Sequence, residues 1–200
     1  IGFFFLGAIS MLVMSLHFFQ HEVSGILKYK DISSNSIFRF CFKSHILFGI
    51  IAIFTGPTQF LTNFRNKYLS LHQRMGYLYF ASVLISSAMG LIVAQHAMGG
   101  IISTVGFSLL AVFWMASAAA AIAAIKKKNI TLHKKWMFVN YGLTFAAITQ
   151  RTLLLVPLLT GLEFLPVYQA SAWLPWLLNT LIALYLFRKS ELNTPGRALT

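Results

Sequence analysis

Two histidines stand at the start of similar apolar segments. The stretches "SLHQRMGYLYF" (70–80) and "TLHKKWMFVNY" (131–141) share a hydroxyl residue, Leu, His, a polar or basic pair and then an apolar run. His72 and His133 therefore occupy equivalent positions, and histidine is an axial ligand of haem iron in proteins. If the two segments are parallel helices, one flat ligand could bridge the two side chains.

The composition indicates that a lipid bilayer surrounds these residues. The chain is 58% hydrophobic and 10% charged with a mean hydropathy of +0.73, whereas soluble domains ordinarily contain about 25% charged residues. The net charge of +12 lies in short basic clusters between apolar runs, so we expect lipid contact and no nucleic-acid partner. The single cysteine, Cys41, excludes an internal disulfide and a cysteine-based metal site.

Six apolar runs predict an all-α integral membrane protein, a six-helix bundle forming a single polytopic domain over residues 1–200. Each run has roughly the 17–25 residues that a spanning helix needs, and backbone groups in lipid must pair within a helix. The run at the start lacks the basic region and the A-x-A site of a signal peptide, so we interpret it as a spanning helix. The predicted helices cover about 1–19, 44–62, 73–96, 101–125, 135–158 and 171–187.

The distribution of Lys and Arg predicts that both termini are cytoplasmic. The connections 63–72 and 126–134 and the C-terminal tail carry most of the basic residues, and cytoplasmic loops are enriched in them. We therefore expect a multi-pass membrane protein whose basic loops face the cytoplasm. The first outer loop is an exception, which its apolar content explains if it lies on the membrane surface. Its cations are Lys28, Lys30, Arg39 and Lys43.

The two histidine-bearing helix starts also have a purely structural interpretation. Ser70 and Thr131 are natural N-caps, and Gln73 completes a capping box with Ser70. Basic side chains there would snorkel to the headgroups. At the opposite membrane interface, Trp173 and Trp176 are expected to mark the start of the last helix.

The helix predicted over 135–158 has a polar face. His133, Asn140, Thr144 and Arg151 fall within about 20° of one line at about 100° per residue. Ionisable residues in spanning helices usually face the bundle interior and have a partner. Since no acidic residue lies in any apolar run, an anionic ligand is an expected partner of Arg151, with Glu163 or a phospholipid as alternatives.

The helix predicted over 44–62 has a stripe of small residues. His45, Gly49, Ala52, Gly56 and Gln59 fall within about 40° of one line. Small residues permit close helix packing, and the same stripe could also make room for a flat macrocycle beside His45. The proline that follows Gly56 removes a backbone donor and predicts a kink at this end of the helix.

Four ordered motifs resemble those of a family of bacterial predicted membrane proteins, domain of unknown function 2306. The motifs are "GPTQF" (56–60), "LHQRMGYLY" (71–79), "LHKKWM" (132–137) and "NYGLTFAAITQRT" (140–152). The resemblance implies a multi-helix membrane protein in which these His, Gln and Arg positions recur. It implies no particular activity.

The chain is also similar, more weakly, to diheme b-type cytochromes, which carry axial histidines on a four-helix core. This similarity implies haem b as a cofactor, with an inner pair and an outer pair of histidines. For the outer pair, His96, His17 or His21 could join His45, and Lys134 is one of the cations suited to haem propionates. The candidate cofactor-binding residues are His45, Gln59, His72, Arg74, His96, His133 and Arg151, with His72 and His133 as the candidate iron ligands.

Three functions stay open from the sequence. Haem-linked electron transfer across the membrane is the first, because polar residues lie at both ends of the predicted helices and small residues lie between them. A non-catalytic accessory subunit of a larger membrane complex is the main alternative, because the run "ASAAAAIAA" (116–124) would let another helix approach closely. A proton-coupled small-solute transporter using His45 and Arg151 is the third. The sequence contains no P-loop and no HExxH motif, so it does not indicate the chemistry of either motif.

Overall fold

The computed structural model describes residues 36–192, and every regular element in this range is helical. The helices are α1 Ser36–Thr55, α2 Thr62–Lys67, α3 Leu69–Ala94, α4 Gly100–Lys126, α5 Ile130–Leu153, α6 Val156–Thr160, α7 Phe164–Ser171 and α8 Leu174–Leu192. A 3-10 turn, Gly56–Phe60, continues α1. The all-α prediction is confirmed for this part of the chain.

Five helical stretches between residues 36 and 192 are long and apolar enough to cross a membrane. They match five of the six predicted spans, and the predicted span at 1–19 lies outside the described residues. Their outward faces carry exposed large apolar side chains, as expected of helices in contact with lipid. The five stretches are Ser36–Phe60, Leu69–Ala94, Gly100–Lys126, Ile130–Thr160 and Phe164–Leu192.

The start of α1 differs most from the prediction. The helix begins at Ser36, so Arg39 and Lys43 belong to it and the expectation that they lie in a surface loop is wrong. Phe38 explains the extension, because its side chain is buried and its ring lies 4.9 Å from the ring of His96 at the end of α3. Packing of Phe38 against α3 thus explains why the helix begins before Arg39 and Lys43 and includes both of them.

Both predicted N-caps are also wrong. Asn129, rather than Thr131, caps α5, where its side-chain oxygen accepts from a backbone N–H three residues later at 2.9 Å. Helix α3 follows α2 with only Tyr68 between them, which places Ser70 inside the first turn. No described side chain caps α3.

The backbone of α1 changes at the proline that predicts a kink, and the kink itself stays a prediction. The α-helix changes to the 3-10 turn at Gly56, immediately before Pro57, which cannot donate to the helical ladder. A side chain at Gly56 would overlap the ring of Tyr141, and a Cβ at Gly142 would lie 2.9 Å from the carbonyl oxygen of Asn179. Gly56 therefore lets α1 approach α5, as the stripe of small residues on α1 predicted, and Gly142 lets α5 approach α8, which the sequence did not indicate.

The helices pack in the order α1 on α3, α3 on α4, α4 on α5 and α5 on α8. In the "ASAAAAIAA" run, Ser117, Ala118, Ala121 and Ala124 are buried within the chain itself. That face therefore serves an internal contact. Trp176 is only 8% exposed and belongs to the core, so its ring packs inside the bundle, and its predicted depth at the membrane interface stays a prediction.

A buried polar network joins α3, α4 and α5. The Tyr79 hydroxyl donates to Asn140 Oδ1 at 2.6 Å, and Asn140 Nδ2 donates to the Trp114 carbonyl and to Ser117 Oγ, both at 2.7 Å. Trp114 Nε1 donates to Thr144 Oγ1 at 2.8 Å. Buried polar groups are costly unless they are paired. Because these groups find their partners on neighbouring helices, the network fixes the relative register of three helices.

Asn140→Leu is expected to lower the free energy of unfolding by about 2 kcal/mol. Interhelical hydrogen bonds in membrane proteins contribute about 0.6 kcal/mol on average, and Asn140 makes three through its side chain. Reversible unfolding in a detergent titration measures the change. The control is Ser87→Ala, which removes a buried hydroxyl bonded within its own helix to Val83. A change no larger for Asn140→Leu than for Ser87→Ala would contradict the prediction.

Candidate functional site

A cavity of about 410 Å³ lies within the bundle, lined by residues of α1, α3, α4, α5, α7 and α8. Its volume is within the range of about 300–1,000 Å³ typical of small-molecule and cofactor sites. Its walls are mostly apolar and include several aromatic rings. Its polar side chains include His45, Ser86, His96, Thr144, Gln150 and Arg151. We call this space the histidine cavity.

His45 is held by two hydrogen bonds that run in opposite directions between α1 and α3. Its Nδ1 lies 2.8 Å from the carbonyl oxygen of Ser86, and Ser86 Oγ donates to the carbonyl oxygen of His45 at 2.8 Å. A carbonyl oxygen only accepts, so the neutral imidazole carries its proton on Nδ1. The Nε2 atom is then unprotonated, and it has no hydrogen-bond partner among residues 36–192. Metal-ligating histidines commonly have this arrangement, with the other ring N–H donated to a carbonyl.

Gly90 gives the His45 ring its space. A Cβ at this position would lie 2.9 Å from His45 Nδ1, closer than side chains normally approach. Gly90 follows Ser82 and Ser86 at intervals of four residues on α3, so small residues form a stripe that faces α1. The sequence analysis missed this stripe, although small residues at such spacing are a known signal of close helix packing.

His96, at the C-terminal end of α3, lines the same cavity as His45. Its Nδ1 donates to the carbonyl oxygen of Ile92 at 3.2 Å, so its proton also lies on Nδ1. Both members of the outer pair that the cytochrome similarity implied with His96 therefore line one cavity. The alternative partners, His17 and His21, lie outside the described residues.

Arg151 places a cation at the histidine cavity. Its Nη1 donates to the carbonyl oxygen of Ala147 at 2.9 Å, and among residues 36–192 its side chain makes no other hydrogen bond. Residues 36–192 contain one ion pair, which joins Lys134 to Glu191 at 3.3 Å. Glu163 therefore does not pair with Arg151. Since a guanidinium has five N–H donors, Arg151 retains donors for an anionic group in the cavity.

The inner pair, His72 and His133, comes from the first turns of α3 and α5. His133 Nδ1 donates to the carbonyl oxygen of Ala121 on α4 at 2.9 Å, which leaves its Nε2 unprotonated. Nδ1 of His72 is buried and has no partner among the residues that the structure describes. Both side chains therefore lie at the starts of their helices, at the opposite end of α3 from the contact between Ser86 and His45.

The remaining candidates lie apart from the histidine cavity. Gln59 donates to Thr58 Oγ1 at 3.2 Å, and its amide oxygen faces Gly76 on α3. Arg74 is exposed in the first turns of α3, near the inner pair rather than the outer one. The side chain of Lys134 is engaged by the carboxylate of Glu191. Of the cations considered for an anionic ligand, Arg151 alone lines the cavity.

No curated protein and no solved structure gives a significant match to the chain. The similarity to diheme b-type cytochromes therefore stays a prediction. The family model described as predicted membrane protein (DUF2306) matches residues 42–187, from within α1 to the last turns of α8. This region is well over half of the chain and includes both histidine pairs and Arg151. The chain therefore belongs to the DUF2306 family of predicted membrane proteins.

Proposed function

We propose that this protein binds haem b and transfers electrons across a bacterial inner membrane. One observation carries the proposal: His45 has its Nδ1 proton committed to the Ser86 carbonyl, and it lines a cavity that also contains His96 and Arg151. An unprotonated Nε2 suits an iron ion, and a guanidinium suits a carboxylate. Haem is an apolar macrocycle that carries iron and propionates. It therefore matches the apolar walls of the cavity, the unprotonated nitrogen of His45 and the guanidinium of Arg151.

The residues that would hold the outer haem are the ones that line the histidine cavity. His45 and His96 would hold the iron, and Arg151 would donate to a propionate. The apolar walls would exclude water from the ring. When bound, haem supplies a one-electron couple whose potential depends on the axial ligands, nearby hydrogen bonds and burial.

The inner haem would lie between His72 and His133. On α3, Ser86 stands fourteen positions after His72, so the level of His45 is about 21 Å further along the axis at about 1.5 Å per residue. Between the two levels lies the buried polar network with the rings of Tyr79 and Trp114. Two redox sites in one bundle would thus face opposite sides of the membrane.

The basic residues support the orientation. The ends of the helices near the inner pair carry Arg65, Lys67, Lys126, Lys127, Lys128, Arg188 and Lys189. Cytoplasmic segments are enriched in such residues. We therefore place the inner pair and the C-terminus on the cytoplasmic side, and the N-terminus joins them if residues 1–19 span the membrane.

The absorption spectrum of the full chain, purified in a mild detergent, tests the proposed function. We expect a coloured preparation whose reduced-minus-oxidised spectrum has the bands of a low-spin b-type haem, with two haems per chain in a pyridine haemochrome assay. A colourless preparation of full helical content that fails to bind added haemin would overturn the proposal. If such a preparation copurified with other membrane subunits, the accessory-subunit function would replace it.

A further inference from the structure

A second concavity lies on the other side of α5 from the histidine cavity. It has a volume of about 440 Å³ and is formed by the 3-10 turn after α1 together with α5 and α8. Most of its wall is apolar, with Phe60, Phe138, Tyr141, Phe145, Ile182 and Leu186 as the main contributors. We call it the α5–α8 groove.

The α5–α8 groove offers an occupant hydrocarbon contacts and few hydrogen bonds. Its one amide side chain, that of Asn179, already donates to Thr149 Oγ1 at 3.0 Å. The Tyr141 hydroxyl donates to the carbonyl oxygen of Ile53 at 3.4 Å. A polar occupant would lose its own hydrogen bonds to water without replacement. The chemistry of the wall therefore favours a hydrocarbon chain.

The groove opens on the side of the bundle that faces lipid. Two of its wall residues on α8, Ile182 and Leu186, are 54% and 43% exposed. In a membrane-spanning helix, exposed apolar side chains are in contact with acyl chains. An acyl chain can thus enter the groove from the side, without opening the bundle.

Two exposed lysines continue the groove towards the end of the bundle that contains the inner histidine pair. Lys135 precedes Phe138 by three residues on α5, and Lys189 follows Leu186 by three residues on α8. Residues three apart lie on the same face of a helix. Both lysines therefore stand about one turn beyond the apolar wall, where a headgroup would lie above an acyl chain.

Local contacts hold the two helices together at this end. The neighbouring lysine, Lys134, is paired with Glu191 across α5 and α8, and the rings of Phe138 and Phe187 lie 6.0 Å apart. The one described acidic side chain at this end is therefore engaged by a different lysine, and Lys135 and Lys189 form no ion pair among residues 36–192. A preformed site loses less conformational freedom when a ligand binds.

We propose that the α5–α8 groove binds an anionic phospholipid, with one acyl chain against the apolar wall and the phosphate between Lys135 and Lys189. Basic pockets between spanning helices on the cytoplasmic side are typical sites for anionic headgroups. The positive charge beyond the groove thus selects among lipids that share the same acyl chains. This proposal does not depend on haem binding at the histidine cavity.

Native mass spectrometry of the full chain in detergent tests the lipid proposal. Dioleoyl phosphatidylglycerol and dioleoyl phosphatidylcholine are added stepwise, so that only the headgroup differs. The unaltered protein is expected to prefer phosphatidylglycerol. The double variant Lys135→Ala/Lys189→Ala is expected to bind phosphatidylglycerol about 30-fold more weakly, given the usual contribution of one basic residue near an anionic lipid surface. Its binding of phosphatidylcholine should not change.

The matched control is Lys126→Ala/Lys127→Ala, which removes the same charge from exposed residues at the end of α4, outside the groove. It should retain the preference for phosphatidylglycerol. Ile182→Trp adds bulk to the groove wall and should weaken the binding of both lipids, while circular dichroism verifies helicity. Equal affinity of the unaltered protein for the two lipids, or equal phosphatidylglycerol binding by the two lysine double variants, would overturn the proposal.

Discussion

His45→Ala is expected to remove the proposed haem at the histidine cavity and to leave the proposed haem at the inner pair. The substitution deletes the one cavity imidazole whose Nδ1 proton is committed to a carbonyl of another helix, that of Ser86 on α3. Alanine offers no ligand in its place, and coordination by the other histidine alone does not give a low-spin bis-histidine site. The haem content per chain should fall by half in a pyridine haemochrome assay.

The retained haem acts as an internal control for folding. His72→Ala and His133→Ala should each remove the inner haem and keep the outer one, so the two classes of variant should have complementary spectra. His96→Ala should reproduce the effect of His45→Ala, whereas His21→Ala should leave the spectrum unchanged if His45 pairs with His96. Undiminished haem in the His45→Ala variant would exclude a haem at the histidine cavity.

The helices were predictable because the membrane restricts the possible structures. A run of about 20 apolar residues has to satisfy its backbone internally, so hydropathy alone locates such helices. The start of α1 was not predictable in this way. Arg39 and Lys43 lower the local hydropathy, yet their long side chains can reach polar surroundings while the backbone stays helical. What extends the helix is the burial of Phe38 beside His96, a contact between residues far apart in the sequence.

The composition of one helix face was predictable, but its partners were not. A period of about 100° per residue places His133, Asn140, Thr144 and Arg151 on one side of α5, and Asn140 and Thr144 are indeed buried. The hydrogen bond from Asn140 to Ser117 depends on the relative register of two helices. A single sequence does not specify that register, because an apolar face can pack at several axial offsets.

The same limit applies to the packing of the last span. Trp176 is amphipathic and lies near a helix start, so it was predicted at the membrane interface. Helix α7 begins in the stretch between the predicted helices 135–158 and 171–187 and precedes α8. Trp176 packs in the core against Trp173 at a ring distance of 6.0 Å. Its indole N–H is satisfied within the chain by the carbonyl oxygen of Ala172 at 2.8 Å.

Arg151→Leu is expected to weaken haem binding at the histidine cavity by about tenfold to hundredfold. A hydrogen bond to a charged group contributes about 1.5–3 kcal/mol, and Arg151 is the cation that lines the cavity. Because leucine is apolar, the change should reduce affinity without opening the bundle. Titration of the haem-free protein with haemin, followed by quenching of tryptophan fluorescence, measures the effect, since Trp114 lines the same cavity.

Arg39→Leu is the matched control, because it removes the same charge from α1 at a position outside the cavity lining. Its haemin affinity should equal that of the unaltered protein. Arg151→Lys keeps the charge but not the planar array of donors, so it should restore part of the affinity. If Arg151→Leu and Arg39→Leu bound haemin equally well, Arg151 would be a cation that reaches the membrane surface, as long basic side chains near helix ends often do. The proposed contact between Arg151 and a haem propionate would then be excluded.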